Sequence, residues 1–243
     1  MKGRGFAGLF YGYILASVLA ILSGWQGWWA IHVVSKPAML ILLSVWFFLN
    51  SRVYGNRFTL LVQAGLFFSL VGDIALMFTA RDEFFFLIGL AMFLIAQLCY
   101  MVAFALNISD AKAPWQGMLI PVLCSLPVLA FAYWYSGFLM PRVDSDITPA
   151  IWAYLLVISG MFCTAAFRWQ RTYKRSWLLV LIGALVFIAS DTLLSYDRFI
   201  SELEHGPLLI LSTYAIAQLL IAIGCVWHVR SPTHIRQQEV LNA

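Results

Sequence analysis

Long apolar segments, separated by short polar or Pro/Gly-containing stretches, follow one another along most of the chain. Each segment is close to the roughly 20 residues that a helix needs to cross a bilayer. None has the roughly ten-residue alternation of apolar and polar positions that is typical of membrane barrels. The pattern predicts eight transmembrane helices, at residues 7–23, 28–49, 58–78, 84–106, 116–138, 149–168, 176–196 and 207–229.

The composition agrees with this pattern and excludes other classes of protein. The chain is 63% hydrophobic and 11% charged, whereas soluble domains are about 45–50% apolar and about 25% charged. Disorder requires the opposite composition. The net charge of +4 comes from loop arginines rather than from a basic face, so nucleic acid is not an expected partner. We expect an all-α integral membrane protein that forms one transmembrane domain over residues 1–243, since no linker divides the chain.

Lysine and arginine are concentrated in the tails and in alternate loops, which predicts the orientation of the chain. One side carries Lys2, Arg4, Arg52, Arg57, Lys112, Arg168, Arg171, Lys174, Arg175, Arg230 and Arg236. The other side carries Arg81, Arg142 and Arg198 among several acidic residues. Both termini are therefore predicted to be cytoplasmic, in a bacterial inner membrane, and the histidines His228 and His234 are expected at the cytoplasmic interface.

The third and seventh segments resemble each other around an aspartate, Asp73 in one and Asp191 in the other. In both, a glycine stands eight residues before the aspartate, a small residue directly before it and a leucine three residues after it. The next segments each contain an Ala-Gln pair, which ends in Gln97 and Gln218. The copies are four helices apart, and an even number of helices predicts two parallel four-helix repeats.

Parallel repeats predict that the two aspartates lie at one depth, in the outer half of the bilayer. An aspartate in a transmembrane helix costs about 2.5–3.5 kcal/mol on insertion scales, so both should face the bundle interior and have partners. Lys36, from the second segment, is expected at a similar depth. The other candidate partners are the polar residues of neighbouring positions: Gln97, Gln218, Tyr100, Tyr154, Tyr214, Ser69 and Ser190. These groups could instead form only a structural ion-pair network between helices.

No metal or other cofactor is expected. The four cysteines lie inside apolar segments without the spacing of a metal site, and the histidines are scattered.

In this order and spacing, the residues resemble the YhhN-like family of membrane proteins, which includes the lysoplasmalogenases. The resemblance covers roughly residues 31–225 and rests on Ser35-Lys36-Pro37, Gly65…Ser69…Gly72-Asp73…Leu76-Met77, Gly89…Phe93…Gln97…Tyr100…Phe104, Tyr154, Met161, Phe187…Ser190-Asp191…Leu194…Phe199 and Tyr214…Ala217-Gln218. It implies hydrolysis of the vinyl ether bond of lysoplasmalogen, a lysophospholipid, to a fatty aldehyde and glycerophospho-ethanolamine or -choline. Many members have histidine at the position of Gln97. If that histidine carries protons in those members, either the proton route or the substrate differs here.

The residues suit this chemistry. Vinyl ether hydrolysis requires a proton on the β-carbon, an oxocarbenium-like intermediate and a water molecule, and two carboxyl groups can divide these tasks as they do in glycosidases. We predict that Asp73 and Asp191 are the catalytic acid/base pair and that Lys36 sets their protonation. The glutamines and tyrosines would orient water and the glycerol hydroxyl. The near-symmetric repeat leaves open which aspartate is the acid.

A different class of function is also consistent with the sequence. Parallel repeats with acidic residues near the middle of the membrane occur in proton-coupled transporters of small solutes or lipids. Such transporters usually contain helices broken by glycine or proline, and here Pro37 and Pro121 are the chief interruptions. A membrane scaffold is a third possibility, which predicts that both aspartates tolerate neutral replacement.

Overall fold

The computed structural model describes residues 4–110 and 117–230. Within these residues the protein is entirely helical and contains no strand. The eight long helices are α1 (Arg4–Gln26), α2 (Trp29–Ser51), α3 (Arg57–Leu76), α4 (Phe84–Asp110), α5 (Leu119–Leu139), α6 (Thr148–Phe167), α7 (Lys174–Phe199) and α8 (Gly206–Val229). Short 3₁₀ turns follow α2 at Arg52–Tyr54 and α5 at Met140–Arg142.

All eight helices of the described ranges are long and apolar enough to cross a membrane. The prediction of an all-α membrane protein with eight spanning helices is confirmed. The predicted boundaries differ from the observed ones by a few residues; α7, for example, runs from Lys174 to Phe199 rather than over 176–196. The predicted start of the fifth segment, residue 116, lies outside the described residues. The orientation of the termini and the two-repeat arrangement stay predictions.

Local sequence explains where the helices begin and end. Asn56 precedes α3, and its side chain accepts a hydrogen bond from the Thr59 backbone N–H at 3.0 Å, while the Thr59 hydroxyl accepts one from the Asn56 backbone N–H. Proline stands in the first turn of α6 and α8, where no backbone N–H is needed. Gly27 has φ +70 between α1 and α2, and this left-handed conformation allows the chain to reverse within two residues.

Successive helices run in opposite directions, so the connections α1–α2, α3–α4, α5–α6 and α7–α8 share one end of the bundle, which we call the distal end. Two contacts join different parts of the chain there. Arg198 pairs with Glu83 of the α3–α4 connection, and the Trp25 and His205 rings lie 5.9 Å apart. At the opposite, terminal end, Arg230 donates to the side chain of Asn50 at 2.7 Å.

The closest helix pairs bring the polar residues into the interior. α3 packs on α4 and α7 on α8, with α8 in further contact with α1, α2 and α3. A Cβ atom on Gly72 would lie 2.8 Å from the Phe93 ring, and one on Gly183 would lie 3.1 Å from the Ala217 carbonyl oxygen. Small residues thus allow close helix contact on both pairs. α5 packs mainly on α6, and a cavity lies between α5 and α7.

Candidate functional site

A cavity of about 500 Å³ opens among the helices, a size that suits a small-molecule or lipid ligand. Its walls come from all eight helices, together with the α1–α2 and α3–α4 connections. Six of the predicted site residues with ionisable or hydroxyl groups reach its surface: Lys36, Asp73, Tyr154, Ser190, Asp191 and Tyr214. Five helices thus bring together groups that are far apart in the sequence: α2, α3, α6, α7 and α8.

Asp73 is nearly inaccessible, with 2% of its surface exposed. Both of its oxygens are occupied. Oδ1 lies 3.3 Å from the Nζ atom of Lys36, and Oδ2 accepts a hydrogen bond from the Tyr214 hydroxyl at 2.8 Å. Lys36 is itself buried. A carboxylate with an ammonium ion on one oxygen and a phenol on the other is stabilised in its ionised form.

A chain of hydrogen bonds lies behind Tyr214. The Gln218 amide nitrogen donates to the Ser69 hydroxyl at 3.0 Å and to the Tyr214 oxygen at 3.3 Å, while its carbonyl oxygen accepts from Tyr100 at 2.9 Å. Because Gln218 donates to the Tyr214 oxygen, the Tyr214 proton is directed to Asp73. Gln218, Ser69 and Tyr100 are fully buried and do not form part of the cavity surface. They can influence the cavity only through Tyr214.

Asp191 has different surroundings from Asp73. Its side chain is partly exposed to the cavity, and its Oδ2 accepts a hydrogen bond from the Tyr154 hydroxyl at 2.5 Å. Among the residues that the structure describes, no lysine, arginine or histidine lies within 4.0 Å of it. The charge of Asp73 acts on it electrostatically. The two aspartates therefore share a cavity, but only Asp73 has a counter-ion.

The remaining predicted residues do not touch the carboxylates. Ser190 donates to the Ile210 carbonyl oxygen at 3.0 Å and so joins α7 to α8. Gln97 is fully buried beside the Tyr154 hydroxyl, and neither of its amide atoms has a hydrogen-bond partner in the described part of the chain. The sequence could not separate these two residues from those that contact a carboxylate, because it does not show how each helix is rotated about its axis.

Two basic residues that the sequence did not single out also line the cavity. His32 lies one helical turn before Lys36 on α2, and its Nδ1 is 3.1 Å from the Ala20 carbonyl oxygen. Arg198 ends α7 at the distal end. Both stand near helix ends, where charges are usually solvated, so nothing in the sequence distinguished them from solvated surface residues. The ranges 4–110 and 117–230 contain no cluster of three His, Cys, Asp or Glu side chains that could hold a metal ion.

The expectation that His228 lies at the membrane interface stays a prediction. His228 is buried at the terminal end, with Nε2 3.0 Å from the Asn107 amide nitrogen and Nδ1 2.7 Å from the Thr172 hydroxyl. Asn107 in turn accepts a hydrogen bond at 2.8 Å from Arg168, which is fully buried although the sequence counted it as a loop cation. Ser176 accepts a second bond from the same guanidinium group. These hydrogen bonds connect polar side chains of α4, α7 and α8. His234 lies outside the described residues.

Comparison with known proteins identifies similar chains. The sequence model of the YhhN family matches residues 31–225. The chain is 32% identical over 187 residues to lysoplasmalogenase TMEM86B of Sus scrofa, which covers 76% of this chain and 72% of that protein. It is 31% identical over 205 residues to human lysoplasmalogenase TMEM86B, covering 84% and 77%. It is 30% identical over 225 residues to a lysoplasmalogenase of Mycobacterium bovis, covering 90% and 81%. No solved structure matches significantly.

Proposed function

Because this chain belongs to the YhhN family, we propose that it is a membrane-embedded lysoplasmalogenase. It hydrolyses the vinyl ether bond of a lysoplasmalogen and releases a fatty aldehyde and glycerophospho-ethanolamine or -choline. Relatives with the name lysoplasmalogenase, at 30–32% identity, support this substrate class. The observation that carries the chemistry is the pair of aspartates on one cavity, of which only Asp73 has a counter-ion.

The unequal surroundings of the two carboxyl groups support an assignment of their roles. Asp73, held between Lys36 and Tyr214, is the ionised partner. Asp191 has no cation beside it among the described residues. Protonation of Asp191 therefore costs less than protonation of Asp73, which would leave the Lys36 charge without a partner. Asp191 is therefore the acid of the proposed reaction. Lys36 acts by keeping the other carboxylate charged.

The reaction then proceeds in three proton transfers. Asp191 donates its proton to the β-carbon of the vinyl ether, and a positive charge shared by the α-carbon and the ether oxygen develops. The negative charge of Asp73 stabilises this oxocarbenium ion. Water adds to the α-carbon and gives a proton to Asp191, which regenerates the acid. The resulting hemiacetal breaks its bond to the glycerol oxygen, moves its hydroxyl proton to that oxygen through water, and leaves the aldehyde.

The shape of the cavity suits a single-chain lipid. Apolar side chains of α5 and α6, among them Val128, Phe131 and Ile158, line one part of the cavity, while the charged groups lie on α2, α3 and α7. The hydrocarbon chain would lie along the apolar wall, and the glycerol would lie beside the aspartates. Tyr154 and Tyr214, whose hydroxyls bond the two carboxylates, stand where they can orient the reacting groups.

The membrane location and orientation complete the proposal. The distribution of lysine and arginine supports a bacterial inner membrane with both termini in the cytoplasm. The aspartates would then lie nearer the outer surface. A reporter domain fused to the C-terminus tests this: cytoplasmic activity is the expected result, and periplasmic activity would reverse the orientation.

An aldehyde assay tests the proposed function. The purified protein in detergent should release a fatty aldehyde from 1-alkenyl-lysophosphoethanolamine. It should release no fatty acid from the 1-acyl analogue, whose ester bond needs a nucleophile instead. Absence of aldehyde from the vinyl ether, with the protein shown to be folded, would contradict the proposal. That result would instead favour the proton-coupled transporter, since a carrier binds its cargo without cleaving it.

A further inference from the structure

The cavity carries more positive charge than the proposed chemistry uses. The basic residues on its surface, among those described, are His32, Lys36 and Arg198. Lys36 is committed to Asp73. His32 directs Nδ1 to the Ala20 carbonyl oxygen, 3.1 Å away. Arg198, at the distal end, is the one of the three whose charge has no assigned task.

The existing partner of Arg198 is weak. Its Nη2 donates to Glu83 Oε1 at 3.0 Å, but the Glu83 side chain is 88% exposed and that of Arg198 is 37% exposed. Such exposed pairs contribute little to stability, so an incoming anion can replace the glutamate. The guanidinium group also lies 5.2 Å from the centroid of the Phe86 ring, which restrains it at the cavity wall. A planar guanidinium in this position can bind a phosphate through two parallel N–H bonds.

The spacing along α7 matches the geometry of a lysophospholipid. Arg198 follows Asp191 by seven residues, which is about 10.5 Å along the helix and nearly two full turns, so both residues lie on one face. In the substrate, five bonds connect the sn-1 oxygen to the phosphorus and extend over roughly 6 Å. A guanidinium–phosphate contact adds about 2.8 Å. One substrate molecule is therefore long enough to place its phosphate at Arg198 and its vinyl ether near Asp191.

We propose that Arg198 binds the phosphate of the lysophospholipid and that this contact sets the depth at which the vinyl ether meets Asp191. The inference rests on the proposed function for its choice of ligand. It predicts selectivity for a phosphate-bearing vinyl ether over the 1-alkenylglycerol that lacks the phosphate. Arg198 is a binding residue in this account, and the chemistry belongs to the aspartates.

Steady-state kinetics of Arg198→Gln with the two substrates tests the selectivity. The variant should raise KM for 1-alkenyl-lysophosphoethanolamine about tenfold or more, because a charged hydrogen-bonded contact is lost. It should change kcat/KM for 1-alkenylglycerol less than twofold. Arg198→Lys keeps the charge but not the paired N–H donors. Its KM for 1-alkenyl-lysophosphoethanolamine should therefore fall between those of wild type and Arg198→Gln. An equal loss on both substrates would overturn the proposal.

Arg142→Gln is the matched control. Arg142 also lies at the distal end and stacks on an aromatic ring, Phe138, at 4.2 Å, but it is not part of the cavity surface. Its replacement should leave both KM values unchanged. A KM increase equal to that of Arg198→Gln would assign the effect to the general surface charge and refute the proposed site.

A binding measurement separates this inference from the proposed function. The probe is a 1-O-alkyl-lysophosphoethanolamine, a saturated ether that cannot be hydrolysed, compared with 1-O-alkylglycerol. Wild type should bind the phosphate-bearing ether about tenfold more tightly, and Arg198→Gln should remove the difference. That result would support the phosphate site even if the vinyl ether were not cleaved. Cleavage of the vinyl ether together with equal binding of both ethers would refute the phosphate site alone.

Discussion

Replacing Lys36 with methionine removes the counter-ion of the most deeply buried carboxylate in the site. Methionine has nearly the length of lysine and fills the same space without a charge. Asp73, only 2% exposed, would keep the Tyr214 hydroxyl on Oδ2 but would lose the ammonium ion 3.3 Å from Oδ1. Breaking a buried pair by removing one partner costs about 3–5 kcal/mol, because it leaves an uncompensated charge. We expect Lys36→Met to lower the free energy of unfolding by that amount.

The double variant Lys36→Met/Asp73→Asn provides the decisive comparison. Asparagine can still accept the Tyr214 hydrogen bond, and no charge is left unpaired, so the double variant should unfold within about 1 kcal/mol of wild type. Asp73→Asn alone strands the ammonium ion and should also be destabilised. The coupling between the two sites should therefore be about 2 kcal/mol or more. The double variant should be stable and inactive, since the ionised carboxylate is gone.

Reversible unfolding in mixed detergent micelles measures these free energies, and the aldehyde assay measures turnover on the same preparations. Strictly additive effects of the two single replacements would show that Lys36 and Asp73 do not interact. A loss below about 1 kcal/mol for Lys36→Met would likewise refute the reasoning, because that is the range of an exposed ion pair rather than a buried one. Wild-type activity in the double variant would refute the role of Asp73.

Three further replacements test other parts of the structure. Tyr154→Phe removes the 2.5 Å hydrogen bond to Asp191. It should lower kcat about ten- to hundredfold while the protein stays folded. An unchanged kcat would show that this hydrogen bond does not contribute to catalysis. Gln97→Leu replaces a buried amide without a hydrogen-bond partner, so unfolding should show equal or higher stability, and a loss above about 1 kcal/mol would reveal an unrecognised partner. Gly72→Ala sets a methyl group 2.8 Å from the Phe93 ring and should cost about 1–3 kcal/mol; wild-type stability would mean that α3 and α4 can separate freely.

The sequence predicted the helices well because a membrane imposes one simple rule on them. A span must be long, apolar and helical, and this signal is present in every segment of the chain. The same rule made Lys36, Asp73 and Asp191 conspicuous, since each is a charge inside an apolar run. Lys36 and Asp73 were expected at similar depths, and the structure pairs them.

Rotation about the helix axes could not be read from the sequence. It decides that Tyr214 contacts Asp73 while Tyr154 contacts Asp191, and that Ser190 turns to the backbone of α8. Without these contacts the two aspartates looked equivalent. Charges near helix ends were a second difficulty, because a solvated arginine and one that lines a cavity have the same sequence context. Arg198 and the buried Arg168 are examples.

The turnover of aspartate variants tests the central claim most directly. Aldehyde release from 1-alkenyl-lysophosphoethanolamine would be measured for wild type, Asp73→Asn, Asp191→Asn and the control Asp146→Asn, whose aspartate is exposed and remote from the cavity. Gel filtration of each variant checks that it is folded. We predict wild-type rates for Asp146→Asn and loss of release by a factor of at least about 1,000 for the other two, since each removes a group that acts in the transition state. Full turnover by folded Asp191→Asn or Asp73→Asn would contradict the account.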